Sequence, residues 1–476
     1  MLRGRSTLIA AAILVLPLGA CTTPDTGEPE TLVASYVPED WAIANPTGPE
    51  VALLDYWTLL EDPLVDEFVE RAQSDNLDLA QALARLRAAQ ARLREARAGR
   101  LPNVSANAGV GRDVGDFAED EFQFVLGGDI AWEADLFGRI SNSIDASQAD
   151  LLAAGYSLAD LERVIVASVA TQTITARSLA RQLEISRDTL ANQDDNLQIA
   201  RWRNQAGLVS SLDVEQARTQ RAQTAATIPQ LESNLVATAN AISTLIGEPP
   251  GAVYAALVAN PREVPLPPRE VGLSAPADVL RRRPDVNAAE AQLASDLARV
   301  GIARAQLYPL LRLTGSVGST AFGVDDLFDV ITGNVFAGLS QLLFDGGRTR
   351  AQIDAAEAIA DGSLAGWRQS ILVALEDVET AAVDLETSDE RVAAFIEASD
   401  GANNAAILAR SQYEAGLIDF QRLLTVESQL LSARTAEVSA EASRAIAFVT
   451  LARALGGGWR SAQAIEAAIA TGPEQP

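Results

Sequence analysis

The sequence predicts an α+β membrane protein: long helices form a coiled-coil tube, and short strands contribute to a β-barrel that one chain cannot close. Three observations point there. Landmarks recur in the same order in two halves of the 476-residue chain. Residues 138–206 and 347–415 carry Ala, Leu and Ile at helical spacing without a proline. Four segments of ~10 residues alternate apolar with small polar side chains, as strands with one apolar and one wet face do.

Composition excludes most chemistries. The chain has no histidine, one cysteine (Cys21), one methionine and no lysine, so all 37 basic residues are arginine. Zinc, haem and iron–sulfur ligand sets, Ser–His–Asp and Cys–His catalysis, and lysine Schiff bases cannot be assembled. No metal or cofactor is expected. A carboxylate-only hydrolase stays open on these counts, but the acids are scattered along helices as solvated faces. A net charge of −27 and a pI near 4.4 argue against nucleic acid. The chain is 48% hydrophobic but 5% aromatic, which suits closely packed helices.

Residues 1–20 read as a signal peptide. Arg3 and Arg5 precede an apolar run from Leu8 to Leu18, too short for a spanning helix, which needs ~20 residues. The run ends in Leu18-Gly19-Ala20-Cys21, which looks like a lipobox, with Cys21 as lipid anchor. An ordinary signal peptide would explain the small residues but leaves the lone cysteine unassigned. Thr22 is compatible with the outer membrane. Residues 21–55, with Pro24, Pro29, Pro38, Pro46 and Pro49, read as an extended tether.

The first repeat, 56–247, and the second, 276–456, are offset by 207 to 209 residues and joined by a linker at 248–275; a tail follows at 457–476. Each repeat reads as helix, two strands, very long helix, break, helix. The first helices are expected at Asn76–Gly99 and Asp285–Gln306, with Arg283-Pro284 as a helix boundary. The strands follow Val104 to Val110, Phe122 to Trp132, Leu311 to Thr320 and Asn334 to Phe344; in the last, Phe336 and Leu342 spoil the alternation. Residues 112–121 and 321–332 would be the outer loops. A long helix of about 68 residues would extend ~100 Å, so it must pack lengthwise on others. The closing helices are expected at Ser211–Ile246 and Asp419–Leu455. From the second break onward Leu417, Leu424, Leu431, Val438, Ala445 and Ala452 recur every seven residues, a coiled-coil register. Four strands leave two edges that lipid forbids, so a membrane barrel needs two or three chains. A soluble antiparallel sheet with one buried face is the alternative reading of the strands.

Several motifs now resemble those of one family, the TolC-like outer membrane efflux proteins, in the lipoprotein branch containing OprM and NodT. They are Asp75-Asn76-Leu77-Asp78-Leu79, Leu136-Phe137-Gly138-Arg139, Arg282-Arg283-Pro284-Asp285-Val286, Phe344-Asp345-Gly346-Gly347-Arg348 and Tyr413-Glu414-Ala415-Gly416, spread between Tyr56 and Gly457. The resemblance implies a homotrimer with a twelve-stranded outer-membrane barrel and a twelve-helix tunnel across the periplasm. It would be a passive exit duct for small molecules such as drugs, docked to a periplasmic adaptor and driven by an inner-membrane pump of RND type. The competing expectation is a lipid-anchored periplasmic coiled-coil adaptor or structural lipoprotein, which leaves the four strands unexplained.

The breaks Gly207-Leu208-Val209-Ser210-Ser211 and Gly416-Leu417-Ile418-Asp419 return one helix into the next. Gly207 and Gly416 suit the left-handed end of a helix, and Ser211 and Asp419 suit N-caps. Capping alone would account for these residues. The resemblance adds that Gly207, Leu208, Val209, Ser210, Gly416, Leu417 and Ile418 form periplasmic tips that meet the adaptor. It also makes Asp213, Tyr413, Arg422 and Thr425 candidate gate residues. The arginine that some members carry opposite Asp213 is Ile418 here, so Asp213 is expected to pair with Arg422 of a neighbouring hairpin.

Overall fold

The computed structural model describes residues 37–42, 53–112, 114, 121–268 and 271–459. The signal peptide, Cys21, most of the tether and of the first outer loop, and the tail beyond Trp459 lie outside the described residues.

After a short 3₁₀ turn at Tyr56–Leu60 come α1 (Pro63–Asp75), α2 (Leu77–Ala98), β1 (Asn103–Arg112), β2 (Phe122–Ala134), α3 (Arg139–Gln205) and α4 (Ser211–Leu245). The linker holds α5 (Ala252–Ala259). The second half runs α6 (Pro276–Arg282), α7 (Pro284–Ala305), β3 (Leu310–Ala321), β4 (Thr332–Ser340), α8 (Arg348–Glu414) and α9 (Phe420–Ala454). The long helices α3 and α8 each have 67 residues, about 100 Å at 1.5 Å per residue.

Both long helices start by one device. The chain enters through a left-handed glycine, Gly138 (φ 77°) or Gly347 (φ 92°). An aspartate just upstream then collects the first free amides: Asp135 accepts from Ile140 and Ser141, and Asp345 from Gly347 and Thr349. The Thr349 hydroxyl, which also donates to Asp345, together with the Thr349 and Gly347 amides holds this carboxyl below the usual carboxylate range.

The sheet is antiparallel in the order β1-β2-β3-β4. Its register puts Val104, Ile130, Gly315 and Val335 side by side on one face, and Ser105, Asp129, Ser316 and Asn334 side by side on the other. One face is mainly apolar and the other mainly small or polar, as a wall between lipid and water requires. The fourth strand is shorter than its sequence suggests: it ends at Ser340, not Phe344. Ser340 pairs with Leu310, the first residue of β3, so residues 341–344 have no partner strand. Phe336 pairs with Thr314 on the polar face, which is why it breaks the alternation. Among the described residues β1 and β4 each pair along one edge only, which leaves the other edge of each open. Among the described residues no helix is long and apolar enough to cross a membrane.

The main core lies midway along the helices. Tyr56, Phe68, Val166, Ile174, Ile242, Phe448 and Leu451 pack there, tying α1, α3, α4 and α9 together. Two buried arginines brace it. Arg177 of α3 grips Asp62, the α1 N-cap, with Nε at 2.8 Å and Nη2 at 3.0 Å, and also donates to the Asn260 carbonyl. Arg283 reaches Asp285, Asp377 and the carbonyl of Ala454. Burial would raise the Asp285 carboxyl, but its hydrogen bonds and charge contact with Arg283 outweigh that and hold it low. Arg283 therefore does more than mark a helix boundary. It clamps the start of α7 to α8 and to the C-terminal end of α9, where the helix dipole favours a cation.

Candidate functional site

The ends of the two hairpins furthest from the sheet form the candidate site. In the first, Gly207 takes φ 71°, and Leu208 N–H donates to Arg203 O at 2.8 Å. In the second, Gly416 takes φ 72°, and Leu417 N–H donates to Gln412 O at 2.8 Å. These are matched helix ends closed by a left-handed residue. Asn204 adds a bond from Nδ2 to Val209 O at 3.0 Å.

The restart differs from expectation in one respect. Ser210, not Ser211, is the N-cap of α4, in a capping box with Asp213. Ser210 Oγ accepts from Asp213 N–H, and Asp213 Oδ2 accepts from the Ser210 amide at 3.0 Å. An acid stands three residues after Ser210 but not after Ser211, which decides the cap. In the second hairpin Asp419 caps α9 as expected, accepting from Arg422 N–H at 2.7 Å. Asp213 is thus engaged by its own turn. Among the described residues no ion pair joins it to Arg422 within one chain.

Beneath the turns Leu197, Ala200, Ala217, Tyr413, Phe420 and Leu423 form a small apolar cluster shared by both hairpins, with Ile418 against it. Tyr413 is buried. Its ring meets Phe420 at 5.4 Å, and the Arg203 guanidinium lies 4.6 Å above it. That cation–π contact joins α3 to α8; the sequence reading named Tyr413 but not Arg203. A second cross-link also escaped it. Glu427, buried on α9, accepts from Asn196 of α3 at 2.7 Å and from Arg410 of α8 at 3.3 Å. Neither partner lies near it in sequence, so no motif signals them.

Leu208 and Leu417 stand 73% and 74% exposed at the two tips. Arg422 and Thr425 are exposed on α9. Thr425 lines a groove of about 580 Å³ between α4 and α9, with Leu212, Gln216, Gln421 and Ser428. The structure therefore gathers the tip glycines and leucines at one end, with Thr425 in the groove beside them. Tyr413 serves as an internal buttress.

An open-edged, two-faced sheet running into two long helical hairpins with exposed leucine tips is the architecture of a TolC-like outer membrane channel. The outer membrane efflux protein family matches the chain twice, over residues 68–248 and 275–457. These segments are displaced by the same 207 to 209 residues as the sequence landmarks. Two relatives in Pseudomonas aeruginosa are similar along nearly their whole length. Outer membrane protein OprJ is 29% identical, with 95% of this chain and 96% of OprJ aligned. The pyoverdine export outer membrane protein OpmQ is 31% identical, with 96% and 97% aligned. The solved outer-membrane channel OprN superposes with a TM-score of 0.80 at 32% identity, over 89% of this chain and 98% of OprN. The chain belongs to the outer membrane efflux protein family. It is an efflux-type channel of the outer membrane.

Proposed function

We propose that the protein is the passive exit duct of a tripartite export system. Three copies close a twelve-stranded barrel in the outer membrane and continue it as a tunnel of helices into the periplasm. The carrying observation is the sheet: a two-faced, four-stranded wall with both outer edges unpaired cannot stand in lipid alone. The tips at residues 207–210 and 416–418 are the docking end for a periplasmic adaptor, since Leu208 and Leu417 are exposed apolar side chains on rigid, capped turns. An inner-membrane pump of RND type supplies the energy, and Cys21 carries the lipid anchor. The cargo is small molecules of the kinds for which relatives are named, such as the pyoverdine in OpmQ's name. No catalytic step is assigned to any residue.

Native mass spectrometry and conductance of the purified full-length protein in planar bilayers test this. Trimers with discrete channel steps are expected. A monomer that leaves the bilayer silent rejects the reading and favours the periplasmic lipoprotein.

A further inference from the structure

The duplication gives every helix of one repeat a counterpart in the other, but their neighbours are not equal. α3 has α2 and α7 beside its half nearer the sheet, and α4 and α9 beside its half nearer the tips. α8 has two long neighbours, α7 and α9, while the short α6 and the segment at 37–42 touch it near its middle. Among the described residues neither α2 nor α4 runs alongside α8 as α7 and α9 run alongside α3. Exposure agrees: α8 carries six large apolar side chains in the open (Ile359, Leu372, Val373, Ile396, Ile407, Leu408), whereas α3, of equal length, carries two (Ile199, Trp202).

The repeat also supplies a register. α2 and α7 have 22 residues each and begin at 77 and 284, an offset of 207; α3 and α8 begin at 139 and 348, an offset of 209. Within the chain Asp150 of α3 accepts from Ser295 Oγ of α7 at 2.5 Å, and its two oxygens accept from Arg299 Nη2 at 2.9 and 2.7 Å. Asn142 crowds Gly301, where an added Cβ would lie 2.7 Å from the amide carbon. Through these offsets Asp150 becomes Ile359 and Asn142 becomes Ala351. Ser295, Arg299 and Gly301 become Ala88, Arg92 and Arg94. The replacements compensate in size. Asn beside Gly becomes Ala beside Arg, and Asp beside Ser becomes Ile beside Ala.

We propose that a second copy of the chain seats the sheet-proximal half of its α8 on α2 in the register that α3 uses for α7, with Ile359 against Ala88 and the stem of Arg92. This rests on the oligomeric reading above and gives it a residue-level seam. The two seams then differ in chemistry. The one inside each chain is locked by Asp150, while the one between copies is apolar on the α8 side. Ile359 is 59% exposed in the single chain, and this seam covers it.

The test is cross-linking of the full chain in outer-membrane fractions. An Ala88→Cys/Ile359→Cys double variant treated with a short bismaleimide should give covalent dimers and trimers, and each single variant should give none. Heat-modifiable migration confirms that the variants fold. Trimers that form but do not ladder overturn the seam and leave the trimer reading standing; absence of trimers by native mass spectrometry overturns both. As a second measure, Ile359→Arg, which sets a charge against Arg92, should shift trimer towards monomer, whereas Ile359→Leu should not. Equal trimer yield for the two also rejects the seam.

Discussion

Arg177→Met should unlatch the amino-terminal helix. The guanidinium and its partner Asp62 are each 2% exposed, so this ion pair is sealed from water at both ends. Arg177 makes two bonds to the carboxylate and one to the Asn260 carbonyl. Methionine fills the stem volume but leaves Asp62 with the Leu64 amide, 3.0 Å away, as its remaining donor. Stranding one charge of a buried pair costs about 3–5 kcal/mol. At ~1.4 kcal/mol per tenfold, opening of α1 should rise roughly 150- to 5,000-fold. The assay is hydrogen exchange of the buried α1 amides between Val65 and Ala72. Asp62→Asn/Arg177→Met removes both charges while keeping an N-cap, because asparagine caps nearly as well as aspartate. It should recover all but about 1–2 kcal/mol of the loss, since replacing both partners of a buried pair is often near neutral. A change below tenfold in Arg177→Met, or a double variant as labile as the single, refutes the reasoning.

Other outcomes follow from the same structure. Ser210→Ala should destabilise the first turn of α4 by about 1 kcal/mol and Ser211→Ala should not, read as exchange rates at that turn. Glu441 is half-buried; burial and the nearby Glu437 and Glu263 raise its carboxyl above the ordinary value of 4.5. Its folded-state pKa exceeds the unfolded one, so its contribution is most favourable at acid pH and declines as pH rises through the raised value. Glu441→Gln should therefore stabilise the fold at neutral pH and have little effect below about pH 4, followed by thermal melting across pH. Asp213→Ala and Arg422→Ala should each raise bilayer conductance if those side chains pair between copies at the tips. Unchanged conductance in both removes the pair from consideration.

Much of the architecture is local and was therefore legible in the chain. The two long helices are proline-free with steady apolar spacing, and their sequence limits differ from the observed ones by a residue at each end. Gly207 and Gly416 announced the turns because a left-handed backbone favours glycine. Three strands announced themselves through alternation. The fourth was misjudged at its end because a strand lasts only as long as its partner, and β3 begins at Leu310. The N-cap was misplaced by one residue because two serines adjoin, and only the acid three positions on distinguishes them.

By itself, then, the sequence determined the repeat, the element order and the position of the hairpin tips, all of which arise from periodicity and backbone preference within short stretches. Only the tertiary structure decided which distant polar groups meet: Asp62 with Arg177, Arg283 with Asp377, and Glu427 with Asn196 and Arg410. These partners come from different helices, and a lone arginine among 37 looks the same in sequence whether it faces water or a buried carboxylate. The tertiary structure alone also revealed that α8 lacks the neighbours α3 has. Which side of a helix stands uncovered depends on how the elements pack, not on local preference.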